Sequence, residues 1–94
     1  MDYKILTQEE QDDITASFLA SQERDEFCHQ TNLARYKAML KSLPEGKWKQ
    51  QVASLHDETV ERLAEVQSII AATELPPAER LTAAKNRIKA AKPQ

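Results

Sequence analysis

TQEEQDDITASFLASQERDEFCHQTNLARYKAMLKSL, residues 7–43, is a run of thirty-seven residues with neither glycine nor proline. It reads as one very long helix, predicted over 8–43. Thr7-Gln8-Glu9-Glu10 is a capping box: the Thr7 hydroxyl can accept from the Glu10 backbone N–H while the Glu10 carboxylate reaches back to the N–H of Thr7. Glu9, Glu10, Asp12 and Asp13 crowd the first turns, where the helix dipole favours negative charge. Lys41 sits in the last turn, and Pro44 restricts Leu43 and stops the helix. At 1.5 Å per residue such an element spans on the order of 50 Å. The alternative is a break near Cys28, giving two helices in line.

The apolar pattern of this stretch is uneven. Ile14, Phe18 and Leu19 form one patch, and Phe27, Leu33, Tyr36, Leu40 and Leu43 form a second at helical spacing. Between them, Ser21 to Glu26 contains no apolar residue. A helix that is polar all round is solvent-bridging or is held at its two ends.

The rest of the chain is arranged around that helix. Tyr3, Ile5 and Leu6 suit an extended arm tucked onto a neighbouring helix. Leu43-Pro44-Glu45-Gly46 is a turn, with proline suited to position i+1 and glycine to i+3. So short a connection makes the next helix, predicted over 47–74, an antiparallel neighbour. Its stripe is Trp48, Val52, Leu55, Leu63, Val66, Ile69 and Ile70. Pro76 and Pro77 end it, and Pro77 is suited to open a third helix over 77–91. Folding about the turn pairs residues whose numbers sum to roughly 90, by the antiparallel geometry of a short connection. Trp48, Val52 and Leu55 are then expected to pack on Tyr36, Leu40 and Leu43, while Ile69 and Ile70 fall opposite the polar gap. The third helix can return its basic face to the acidic start of the first, with Leu81 and Ile88 near Ile14 and Phe18. The predicted fold is all-α: a long antiparallel helical hairpin plus a short third C-terminal helix, one domain over 1–94, oligomeric.

Composition narrows the function classes. A single glycine among 94 residues argues against hairpins and β structure, and only five aromatics are available for a core. Long helices with few large apolar residues often need a second copy to bury their stripes, so a homo-oligomer is expected. Cys28 is alone, which rules out an internal disulfide and fits a reducing cytoplasm. It reads as a small helix residue rather than a reactive thiol. With no apolar leader segment and no run of membrane-spanning length, a cytoplasmic protein with no membrane partner is expected. The formal net charge is −2. Residues 1–26 carry eight acids and two bases, whereas residues 76–94 carry five bases and one acid. An acidic front and a basic tail imply attraction within the fold or two different binding faces.

Few constellations suggest chemistry. Glu26-Phe27-Cys28-His29 has the Glu-x-x-His spacing of carboxylate-bridged di-metal bundles. A full site needs a second such motif, and His56 is preceded at the matching offset by Ala53. Neither a metal site nor a cofactor is therefore predicted. Without glycine loops there is no preorganised oxyanion site or phosphate cradle, so no catalytic residue is assigned and an enzyme is not expected. The basic residues Arg80, Lys85, Arg87, Lys89 and Lys92 are the candidate contacts for nucleic-acid phosphates. Against that role, the segment has no aromatic for stacking and no helix-turn-helix spacing. Its apolar face is mostly alanine, too weak to anchor on a membrane surface.

The stretch Phe18-Leu19-Ala20-Ser21-Gln22-Glu23-Arg24-Asp25-Glu26-Phe27-Cys28-His29, continued by Asn32-Leu33-Ala34-Arg35-Tyr36, resembles small helical proteins encoded by tailed bacteriophages and prophages. That resemblance covers about half the chain and has no motif tied to an activity. It implies a bacterial-cytoplasm setting and an accessory role, often binding a host or phage protein. Together these readings predict a non-enzymatic protein-interaction module. Its expected partner or oligomer interface is Gln22, Glu23, Asp25, Glu26 and His29, with Ile69 and Ile70 opposite. Nucleic-acid association through the basic C-terminal helix is the alternative.

Overall fold

The computed structural model describes residues 5–91, all of whose regular structure is helical. Three helices follow in order: α1 over Gln8–Ser42, α2 over Lys47–Ala72 and α3 over Ala78–Ala91. Helices α1 and α2 pack against each other as a hairpin. Tyr3 and Lys92 lie outside the described residues. Among those residues, no helix is long and apolar enough to cross a membrane.

The capping box forms as the residue types dictate. Thr7 N–H donates to Glu10 Oε1 at 3.1 Å, and Glu10 N–H donates to Thr7 Oγ1 at 3.1 Å. Thr7 O accepts the first intrahelical bond, from Gln11. From there α1 runs 35 residues without interruption, so the chain does not break near Cys28. It ends at Ser42 because Pro44 disfavours helical backbone at Leu43, whose N–H still reaches Met39 O at 2.9 Å. In the turn, Gly46 adopts φ +150°, a conformation that L side chains rarely accept, and its carbonyl takes the first bond of α2 from Gln50. Helix α2 closes at Ala72, and Thr73, Glu74 and Leu75 leave the helix ahead of Pro76. Pro77 stands just before α3, and its carbonyl accepts from Leu81 N–H at 3.0 Å.

The chain divides into two compact units: residues 1–21 with 73–94, and residues 22–72. In the second unit the inward stripe of α1 is Gln22, Glu26, His29, Leu33, Tyr36 and Leu40, continued by Leu43 just past the helix end, all half-buried and separated by alternating steps of four and three. The stripe of α2 is Lys49, Val52, His56, Thr59, Leu63, Val66 and Ile70, with Val52, Thr59 and Val66 buried and the others half-buried. Steps of four and three average 3.5 residues, the repeat that keeps one seam facing a partner helix. The polar segment is therefore not solvated all round, because Gln22, Glu26 and His29 lie on the covered side. Buried Thr59 satisfies its hydroxyl within its own helix, donating to Leu55 O at 2.7 Å. Burying each valine contributes up to about 1.5–3 kcal/mol relative to exposure.

Four apolar side chains named in the expected contacts are exposed. Trp48 is 60% exposed and Leu55 45%, so neither is sealed against Tyr36, Leu40 and Leu43. The reason is registry: both stand one step to the side of the Val52–Thr59–Val66 line. In the first unit Ile14 is 57% and Phe18 45% exposed, and Asp12, Ala16 and Leu19 are the buried residues of α1 instead.

Two substitutions test this description of the chain ends and turn. Replacing Thr7 by alanine should cost about 1 kcal/mol through loss of the cap. Gly46→Ala meets no atom within 4 Å of the added Cβ, so only backbone strain opposes it; a loss of about 1–3 kcal/mol is expected. Urea denaturation followed by circular dichroism measures both, and unchanged midpoints would contradict the two assignments.

Candidate functional site

Two side-chain groupings stand out, one in each unit. The first is an acid–base clasp between the start of α1 and α3. Arg80 donates from Nε to Asp12 Oδ2 at 2.9 Å and from its terminal nitrogen to Asp12 Oδ1 at 3.0 Å. This is the fork-to-fork geometry that makes arginine–carboxylate pairs directional. Gln8 Nε2 donates to the same carboxylate at 3.0 Å. Seven residues along, Arg87 donates from Nε and its terminal nitrogen to Asp13 Oδ1 at 2.9 and 2.7 Å, and approaches Glu9 at 3.6 Å. Between the two arginines, Ala84 is fully buried, as is Ala16 of α1. Alanine at both places lets backbones approach closely enough for short, straight ion pairs.

The Arg80 hydrogen bond holds the Asp12 carboxyl below its ordinary range; burial opposes this, and the Gln8 hydrogen bond and the Arg80 and Arg87 charges add to it. Arg80 and Arg87 are pushed up in turn, each chiefly by the hydrogen bond to its aspartate. Charge complementarity between the acidic front and basic tail is thus realised inside the fold.

Of the candidate nucleic-acid contacts, Arg80 and Arg87 are committed to this clasp. Lys85 and Lys89 are exposed, and Lys92 lies outside the described residues.

The second grouping belongs to the hairpin unit, where all seven predicted interface residues fall. They do not share one surface. Gln22, Glu26, His29 and Ile70 lie on the half-buried stripes between α1 and α2, whereas Glu23 and Asp25 are exposed beside them. Ile69 is half-buried at the edge of the α2 stripe. The most exposed large apolar side chains of the unit lie elsewhere: Phe27 at 69%, Trp48 at 60%, Leu55 at 45% and Val60 at 44%. Phe27 stands beside a shallow recess along α1 with Cys28, Thr31, Asn32 and Arg35. The apolar pattern assigned Phe27, Trp48 and Leu55 to the core; their offset from the four-three stripe was the signal that separates them from it.

Among the described residues, no group of three or more histidine, cysteine or acidic side chains is placed to hold a metal. Glu26 and His29 share the α1 stripe, and His56 Nδ1 lies 3.1 Å from Asp57, on α2. No family model, curated protein or solved structure matches the chain.

The clasp has a defined pH signature. A carboxylate with a depressed folded-state pKa contributes stability that is present above its unfolded value, about 3.9, and is lost as pH falls through the lower folded value. Stability from Asp12 should therefore be constant from pH 5 to 8 and decline below about pH 4. Asp12→Asn should lower the thermal midpoint at pH 7 and flatten that acid-dependent decline. An Asp12→Asn protein with wild-type stability at pH 7 would show that the clasp contributes nothing.

Proposed function

We propose that this chain is a non-enzymatic protein-interaction module, a phage-encoded accessory protein that binds a host or phage protein in the bacterial cytoplasm through its helical faces. One observation carries the reading. A hairpin unit with only Val52 and Val66 as buried apolar side chains exposes Phe27, Trp48 and Leu55. Large apolar and aromatic side chains left on a small helical surface are the usual anchors of protein contacts. The bacterial setting and the accessory role rest on the resemblance of residues 18–36 to small helical phage proteins.

Nucleic-acid binding is the weaker reading. Arg80 and Arg87 spend their guanidinium groups on Asp12 and Asp13, and α3 offers no aromatic side chain for stacking. Phosphate binding by this helix would compete with two ion pairs already formed.

The test is capture from bacterial lysate with a tagged chain, with nuclease added, comparing wild type and Phe27→Glu. One protein is expected in stoichiometric amount from wild type. Its recovery should fall about tenfold or more for the variant, the loss of a central anchor, with helicity unchanged by circular dichroism. Recovery that collapses on nuclease treatment would replace this reading by nucleic-acid binding. The absence of any stoichiometric partner would overturn it.

A further inference from the structure

One side of the hairpin unit combines exposed apolar residues with charges of both signs. On α1, Asp25, Asn32 and Met39 recur every seven residues, each three positions after a stripe residue. On α2, Leu55, Arg62 and Ile69 hold the same offset, and Trp48 continues that line toward the turn. Two right-handed helices running antiparallel place equal offsets on the same side of their seam, so these two lines form one face. Trp48, Leu55, Arg62 and Asp25 are exposed on it, and Met39 and Asn32 are half-buried.

We propose that this face is the interface of a two-fold symmetric homodimer, its occupant a second copy of this chain. The first argument is charge. Outward from the turn, Met39 is level with Trp48, Asn32 with Leu55 and Asp25 with Arg62, each pair of numbers having the same sum. A two-fold axis along the hairpin lays α1 of one copy over α2 of the other at equal height. Such an axis brings Met39 onto the partner copy's Trp48, Asn32 over its Leu55 and Asp25 toward its Arg62, and symmetry repeats each pairing. The face is self-complementary, as an isologous interface requires. Within one chain, Arg62 already pairs with Glu58 at 2.6 Å, with its side chain 61% exposed, which leaves its guanidinium able to reach a further carboxylate.

The second argument is size. Helix α2 has 26 residues, so the face is about 39 Å long. Two helices side by side make it about 18–20 Å wide, or roughly 700 Å² per copy. Stable interfaces bury about 800 Å² per partner, and this face reaches that range without any other surface. The third is clustering: the two-fold arrangement gathers Trp48, Leu55 and Met39 of both copies at the turn end, forming the large apolar layer that a single hairpin lacks. Phe27 lies off this face, so of the three exposed side chains named above it alone stays open in the dimer to meet a different protein, while Trp48 and Leu55 are covered by the second copy.

Sedimentation equilibrium at micromolar concentrations is the test, on the full chain. The expected mass is twice the 10.7 kDa of the chain. Trp48 is the single tryptophan, and its emission should shift to the red on dilution as the turn-end cluster opens. Trp48→Glu and Leu55→Glu should each weaken dimerisation about tenfold or more, with helicity retained, and Phe27→Glu should leave the mass unchanged. A monomeric mass at hundreds of micromolar, or an emission maximum independent of dilution alongside a concentration-dependent mass, would overturn the proposal without reference to any variant. A monomer that still captures its partner defeats the dimer alone. A dimer that captures nothing defeats the interaction module alone.

Discussion

The structure depends on how little apolar material α1 has on its inward side. A helix of 35 residues can bury one stripe, and on the hairpin unit that stripe begins with Gln22, Glu26 and His29 before reaching Leu33, Tyr36, Leu40 and Leu43. The first three have polar groups that lose hydration if fully covered. They are half-buried instead, and among the described residues no buried side-chain nitrogen or oxygen lacks a partner. The seam is thus kept open enough for its polar groups to stay wet. That limits how tightly the valines opposite can be sealed, and Val52 and Val66 are the only hydrophobic side chains of the unit that become buried.

The unit made by the start of α1 and α3 solves the same shortage differently. Among the described residues its buried hydrophobics are Ala16, Leu19 and Ala84, which supply little transfer free energy. Position is set by two arginine forks on Asp12 and Asp13. Half-exposed charge pairs add little net stability, but their geometry admits few alternatives. Alanine and arginine act together here: small side chains bring the helices close, and the forks select one registry along them. A clasp of this kind specifies where α3 docks more strongly than it stabilises the docking.

Much of the fold was legible because it rests on local chemistry. The capping box at Thr7, the stop before Pro44, the turn glycine and the proline pair ahead of α3 each act through adjacent backbone, and the long glycine-free run between them has no reason to break. The attraction between the acidic front and basic tail was also legible, from charge counts alone. What composition could not resolve was which residues of an amphipathic helix face inward. Apolar side chains suggested Ile14, Phe18, Phe27, Trp48 and Leu55 for the core, yet the covered line runs through Gln22, Glu26 and His29 on α1 and through Thr59 on α2. Pattern reading that counts only hydrophobic residues loses a stripe where it turns polar. The strict alternation of four and three through both kinds of residue would have recovered it.

The candidate interface is the counterpart of that error. A sequence selected only to close this hairpin would place Trp48 and Leu55 on the covered line, where Thr59 sits, and a threonine on the flank. Here the large side chains are on the flank and the small polar one is inside. Exchanging them would enlarge the core of one chain and remove the apolar surface from its side. Marginal burial within the hairpin and apolar exposure beside it are therefore one feature of the sequence, and it favours a surface built to meet another molecule over one that completes itself.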